Sequence, residues 1–193
     1  IQIGTIIESQ NLAKNYEKIE KILYIPMNLG TQEKQISKEK EFEEDYLKAK
    51  YFGIATHYCL EMMNEFNSDN LLYSLNLAKT RYSNFLDEID FFDIKNRLSL
   101  LVKNEEFLSL IKDSDFITEQ SLVYKEEIKI IDLLLFKNGN SYIIDYKTTK
   151  DRYVKHIAQV AFYKKAIKDI FQTQNVFSYL LYLQKDEILI SEV

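Results

Sequence analysis

Ile130-Ile131-Asp132-Leu133-Leu134-Leu135-Phe136-Lys137-Asn138-Gly139-Asn140-Ser141-Tyr142-Ile143-Ile144-Asp145-Tyr146-Lys147-Thr148 is two apolar, β-branched runs joined by Asn-Gly. Asn-Gly between alternating or continuous apolar runs is the strongest short-range signal for a two-residue hairpin loop. With Asn138 and Gly139 as the loop, Lys137 faces Asn140 and partner numbers sum to 277, a sum that Asp132 and Asp145 share. The register therefore predicts Asp132 opposite Asp145. Lys147 stands two residues beyond Asp145, and side chains on a strand alternate with period two, so it is predicted on the same face. Asp, Asp and Lys gather into one patch on the strength of the turn alone.

Two carboxylates directly opposite on neighbouring strands lie roughly 4.5–5.5 Å apart at Cβ and repel. A divalent cation converts that repulsion into coordination, and carboxylates with room for water suit Mg²⁺ or Mn²⁺. An ammonium beside such an ion can position a water or stabilise developing negative charge. A surface hairpin with a polar solvent face is the bland alternative. Leu133, Leu135, Ile143 and Ile144 argue against it, since they predict strands covered on both faces.

The chain has 193 residues, enough for one domain with a proper core. Glycine (4) and proline (1) are too scarce for long flexible linkers. No apolar run reaches the roughly 18–20 residues of a membrane-spanning helix, and no signal peptide is recognisable. Cys59 is the single cysteine, so no disulfide framework and no four-cysteine zinc or iron–sulfur site is expected within this chain, and the expected location is cytoplasmic. The chain begins at Ile1 rather than Met, which reads as a piece of something longer. Net charge is −5, yet Lys147, Lys150, Arg152, Lys155, Lys164, Lys165 and Lys168 are opposed over that span only by Asp151. A basic tract directly after the Asp/Lys hairpin can contact phosphates, or can simply be a solvated helix face.

Periodicity predicts helices over 6–23, 38–66 with an interruption or tightening near Gly53, 70–86 with Ser68-Asp69 as cap, and 93–112. Strands are predicted over 116–124 and through the hairpin 127–147. A helix follows over 152–170, and two short strands fall within 175–192. Helices, then three strands, a crossover helix and returning strands make a mixed α/β core, a small central mixed sheet flanked by helices, with an N-terminal helical region. Residues 1–50 read as an N-terminal helical segment or linker and 51–193 as the core.

His57 lies on a predicted helix, one turn after Gly53, which would permit close approach of a backbone or ligand. Imidazole is a common metal ligand, though a histidine on an apolar helix is also an ordinary core residue. Glu61, one turn on, could orient it or sit on the surface. Gln159 and Tyr163, four apart, share a helix face and could support the site or contact nucleic acid. Glu119, on the strand before the hairpin, is a possible further carboxylate.

Gly53-x-x-x-His57, Ile131-Asp132, Ile144-Asp145-Tyr146-Lys147-Thr148 and Gln159-x-x-x-Tyr163, in this order, resemble the RecB-like branch of the PD-(D/E)XK nuclease superfamily. The likeness spans roughly 53–163. It implies a restriction-endonuclease-like core and a Mg²⁺- or Mn²⁺-dependent deoxyribonuclease. His57, Asp132, Asp145 and the Tyr146 carbonyl would bind metal, and Lys147 would position the attacking water and support the transition state. Gln159 and Tyr163, with Lys150, Arg152 and Lys155, would support the site or touch DNA. Many relatives of this kind carry four cysteines around an iron–sulfur cluster. With Cys59 alone, the chain looks more like the cluster-free nuclease at the C-terminal end of AddA- or RecB-type helicase subunits. The glycine usual before the first Asp is absent, with Lys129-Ile130-Ile131 in its place. No Walker A pattern occurs. The implied role is DNA end processing, recombination and double-strand break repair, on single-stranded DNA or duplex ends, with a helicase domain of the same chain and a partner subunit. Two alternatives stand beside it: a stand-alone RecB-like exonuclease or endonuclease of a phage or mobile element, and an inactive nuclease fold used as a scaffold.

Overall fold

The computed structural model describes residues 33–149, 153–171, 173 and 175–193, with side chains from residue 45 onward. The chain divides into Ile1–Lys40 and Glu41–Val193, and the sheet and every described site residue belong to the second unit. The helix expected over 6–23 lies outside the described residues, as do Lys150 and Arg152. Helices α1 (Glu33–Glu61), α2 (Ser68–Tyr82), α3 (Glu88–Leu101) and α4 (Glu105–Ile111) precede strands β1 (Asp115–Tyr124), β2 (Glu127–Lys137) and β3 (Asn140–Lys147). Helix α5 (Tyr153–Phe171), β4 (Val176–Leu183) and β5 (Ile188–Glu192) complete the order. The expected boundary between 50 and 51 falls inside α1.

The five strands form one sheet in sequence order. β3 and β4 run parallel across the α5 crossover, and the other neighbours are antiparallel. The mixed α/β fold expected from the sequence is the one observed. Leu133, Leu135, Ile144, Tyr146, Leu181 and Leu183 pack with the buried residues of α1–α4, while Ile131, Leu134 and Ile143 pack with Tyr163, Ala166 and Ile167 of α5. The sheet is thus covered on both sides, which is why Leu133, Leu134, Leu135, Ile143 and Ile144 are all fully buried.

Local chemistry sets most boundaries and corrects three expectations. Helix α1 runs unbroken through Gly53, where an added Cβ would meet Thr148 Oγ1 at 3.7 Å, an ordinary contact. The cap of α2 is Asn67 rather than Ser68-Asp69: its side chain accepts the Asn70 N–H at 2.9 Å, and the helix ends at Tyr82 rather than 86. The helix expected over 93–112 is two helices. Asn104 has extended backbone and its side chain accepts the Phe107 N–H at 2.8 Å, starting α4 afresh. Asp87 and Asp90 form a reciprocal capping box that begins α3.

The hairpin turn has Asn138 at φ 52° and Gly139 at φ 76°, the left-handed pair that a type I′ loop requires. Asn tolerates this conformation and most other residues do not. Gly139→Ala should cost about 1 kcal/mol, the left-handed penalty for a Cβ, read as a fall in the urea midpoint with unchanged slope.

Candidate metal centre

The register beyond the turn holds as the sequence predicts from Lys137↔Asn140 to Leu133↔Ile144. There the ladder stops, one position short of Asp132 and Asp145. β2 continues with β1 alone, down to Tyr124↔Glu127. The β1–β2 register is the same on either side of one interruption: Thr118 pairs with Leu133 and Gln120 with Ile131, and the position between them holds Glu119 and Asp132. Glu119 has φ 49°, a left-handed conformation in the middle of a strand. A residue there breaks the alternation. The packing records the change on both strands: Leu133 and Phe116 face α1–α4, whereas Ile131 and Leu122, each an even number of residues away, face α5. Glu119 and Asp132 sit at this reversal, in the fork where the β1–β2 ribbon leaves β3.

Asp132 uses its position to reach two partners. One carboxylate oxygen lies 3.4 Å from His57 Nδ1 on α1, and the other accepts the backbone N–H of Tyr146 at 2.7 Å. The Tyr146 amide thus takes over where the β2–β3 ladder ends. The ring of Tyr146, almost fully buried, stands edge-on to His57 with centroids 6.3 Å apart. One ligand atom from each of His57, Glu119 and Asp132 falls within 4.8 Å of the other two. Ligands about 2.1 Å from one octahedral ion stand about 3 Å apart when adjacent and about 4.2 Å apart when opposite, so these side chains would draw closer around a bound Mg²⁺ or Mn²⁺.

Asp145 and Lys147 pair with Leu180 and Tyr182 of β4, whose side chains pack toward α5, so both point to the α5 face. Asp145 is fully buried, and neither of its oxygens accepts a well-formed hydrogen bond. Lys147 Nζ stands 2.5 Å from Asp145 Oδ2 as an ion pair. Lys147 also donates to Gln159 Oε1 at 3.4 Å, Gln159 Nε2 donates to the Tyr163 hydroxyl at 2.7 Å, and Tyr163 donates to the Ile130 carbonyl at 2.7 Å. This chain of bonds braces Lys147 from α5 and ties it to β2 two residues before Asp132. Gln159 and Tyr163 are therefore inside the network, with Tyr163 buried, while Lys155 is an exposed residue of α5.

The electrostatics are those of crowded acids. Burial pushes the Asp145 carboxyl up to about 6, with Asp132 adding to the rise and Lys147 opposing it. Burial likewise raises Glu119 to about 7, again with help from Asp132. Burial disfavours the charged form of His57, but the Asp132 carboxylate outweighs it and the imidazole pKa is raised. Three groups that hold protons more readily than usual stand around one carboxylate, and among the described residues the lysine set within them is Lys147, paired with Asp145. Such a donor set, carboxylates plus one imidazole, fits Mg²⁺ or Mn²⁺. Cys59 is not part of it: the thiol is fully buried, is directed at the Ser74 carbonyl at 3.9 Å, and is pushed up to about 12 by burial.

No family model matches the chain, and no curated protein matches it. Among solved structures, one described as "Crystal structure of SSO0001" aligns with 72% of this chain at 15% identity and a TM-score of 0.31. The alignment spans 65% of that chain. At that level the likeness carries no functional argument, and the reading of the site rests on its own geometry.

Glu119, expected as a possible further carboxylate, lies within the ligand cluster, where the resemblance had implied Asp145. One feature escaped the sequence reading. Arg81, at the end of α2, lines a groove of about 510 Å³ together with His57, Glu119 and the exposed Glu61. Nothing in the local sequence of α2 signals that position, because it arises from the packing of α2 beside α1. Among the described residues no helix is long and apolar enough to cross a membrane.

Proposed function

We propose that the chain is a metal-dependent deoxyribonuclease, hydrolysing phosphodiester bonds during DNA end processing. The observation that supports this most is the fork itself: Asp132 paired with His57 and close to Glu119 on one side, and a buried Asp145 paired with a braced Lys147 on the other. His57, Asp132 and Glu119 would hold Mg²⁺ or Mn²⁺, with Asp145 and the Tyr146 carbonyl as the further donors that the resemblance implies. The bound ion would supply an acidified water and offset charge on the phosphate. Lys147, the lysine within the cluster among the described residues, would orient the attacking water and stabilise the charge that builds on the phosphoryl oxygens. The water would give up a proton as its oxygen bonds to phosphorus, the ester P–O bond would break, and the departing sugar oxygen would take up a proton from solvent, which balances the one lost. Gln159 and Tyr163 keep Lys147 aimed.

A cytoplasmic setting, DNA delivered by a helicase domain of the same chain, and a partner subunit belong to this reading. The overall negative charge suits a domain that receives DNA rather than captures it alone. Linear single- and double-stranded DNA incubated with Mg²⁺ or Mn²⁺ should be shortened, and chelation should stop it. Intact substrate under every metal condition, from a folded protein, would remove the nuclease reading and favour the scaffold alternative.

A further inference from the structure

We propose that the groove between α1 and α2 carries a single strand of nucleic acid past the metal centre, with Arg81 gripping a phosphate next to the scissile one. The inference rests on the nuclease reading and assigns its substrate path. Its basis is a continuity: His57 and Glu119, members of the ligand cluster, are also walls of the groove that Arg81, Tyr58, Tyr82 and Ile54 complete. A chain bound at the cluster on this side must run along that groove.

The chemistry of the walls suits a phosphodiester chain. Arg81 is exposed, and its guanidinium carbon lies 4.8 Å from the centre of the Tyr58 ring and 5.7 Å from that of Tyr82. Contact with the Tyr58 ring and a hydrogen bond to Tyr58 hold the guanidinium over the groove, and its five N–H donors leave others to meet a phosphate. Ile54, 38% exposed, adds apolar surface for a sugar or base. Glu61 is exposed in the groove, and Glu119 is half-buried. Glu61 repels a phosphate from its own position and so favours the Arg81 end. A cation set against aromatic rings is the pattern by which single strands are held without reading sequence.

The test uses the whole protein and a fluorescein-labelled oligothymidylate. Steady-state cleavage is measured with Mn²⁺, and binding is followed by anisotropy with chelator present. Arg81→Ala should raise KM about tenfold with kcat within about twofold, weaken binding by a similar factor, and reduce the log–log salt slope by about 0.7, the contribution of one phosphate contact on a single strand. Arg81→Lys should keep the salt slope and lose only part of the affinity, since it retains the charge but not the fork. Unchanged KM and binding in Arg81→Ala, or tighter binding to a duplex of equal length than to the single strand, would overturn the proposal. The outcomes separate the two readings. Cleavage that ignores Arg81 sinks the groove alone, and Arg81-dependent binding without cleavage sinks the nuclease alone. Neither cleavage nor binding sinks both.

Discussion

Asp145→Asn should abolish metal-dependent cleavage, by at least about a hundredfold, and at the same time make the metal-free protein more stable at pH 7. A group chosen for folding would not behave this way. The Asp145 carboxyl is fully buried, accepts no well-formed hydrogen bond, and has its pKa pushed up to about 6 by burial and by Asp132. An unfolded chain would release that proton near pH 4. Between about pH 4 and 6 the native state therefore binds more protons than the unfolded state, and stability falls as pH rises. Above about pH 6 the full penalty is in place, on the order of 3 kcal/mol. The neutral amide removes it. Lys147 then loses its ion partner, but it keeps Gln159 and remains partly exposed, so little of the gain is returned. Glu119, raised to about 7, and His57, raised by Asp132, bias the metal-free protein in the same direction. Thermal melts with chelator should show higher Tm at pH 5 than at pH 7.5, a difference that Asp145→Asn reduces and that added Mn²⁺ abolishes. A variant less stable than the parent at pH 7 would contradict the claim that Asp145 is held in place at a cost.

Lys147→Ala should cost a comparable factor in kcat, about a hundredfold to a thousandfold, with the opposite effect on stability. Lys147 is the counter-charge nearest to Asp145, 2.5 Å away. Removing one partner of a buried pair leaves the other uncompensated and typically costs about 3–5 kcal/mol. The metal-free variant should therefore be destabilised at pH 7 and recover as the pH falls and Asp145 takes a proton. Mn²⁺ should still bind it, because Lys147 donates no ligand. Two substitutions at one ion pair thus lower activity alike and move stability in opposite directions. Gln159→Ala and Tyr163→Phe, which loosen the brace on Lys147, should act more weakly and in the same sense.

How much of this was legible in the sequence follows from the range of the forces involved. The hairpin was readable because Asn138-Gly139 is a local code, and five pairs of register follow from it. Helix starts at Asn67, Asp87 and Asn104 obey equally local capping rules, although the sequence reading took Ser68-Asp69 for the first and passed over the other two. The order of helices and strands, the parallel return through α5 and the burial of both sheet faces were also readable. The end of the register at Leu133 was not. It depends on Glu119 adopting φ 49° in a neighbouring strand, and on Asp132 exchanging a cross-strand partner for His57 and the Tyr146 amide. Period-two reasoning placed Asp132, Asp145 and Lys147 on one face. The reversal at Glu119 instead puts Asp132 between the two faces, where helix α1 can reach it. The groove at Arg81 was invisible for a different reason: it is made by two helices packing side by side, and helical periodicity says which face is buried but not which neighbour buries it.

Isothermal titration of the metal-free protein with Mn²⁺, beside Asp132→Asn and Glu119→Gln, tests the central claim most directly. If the fork is a metal centre, the parent binds Mn²⁺ with release of protons from Glu119 and Asp145, and Asp132→Asn loses most of the affinity. Glu119→Gln should weaken it by about tenfold, less than Asp132→Asn, because only Asp132 stands at the meeting of both halves of the site. A parent that binds no Mn²⁺, or binds it equally well in both variants, would contradict the account.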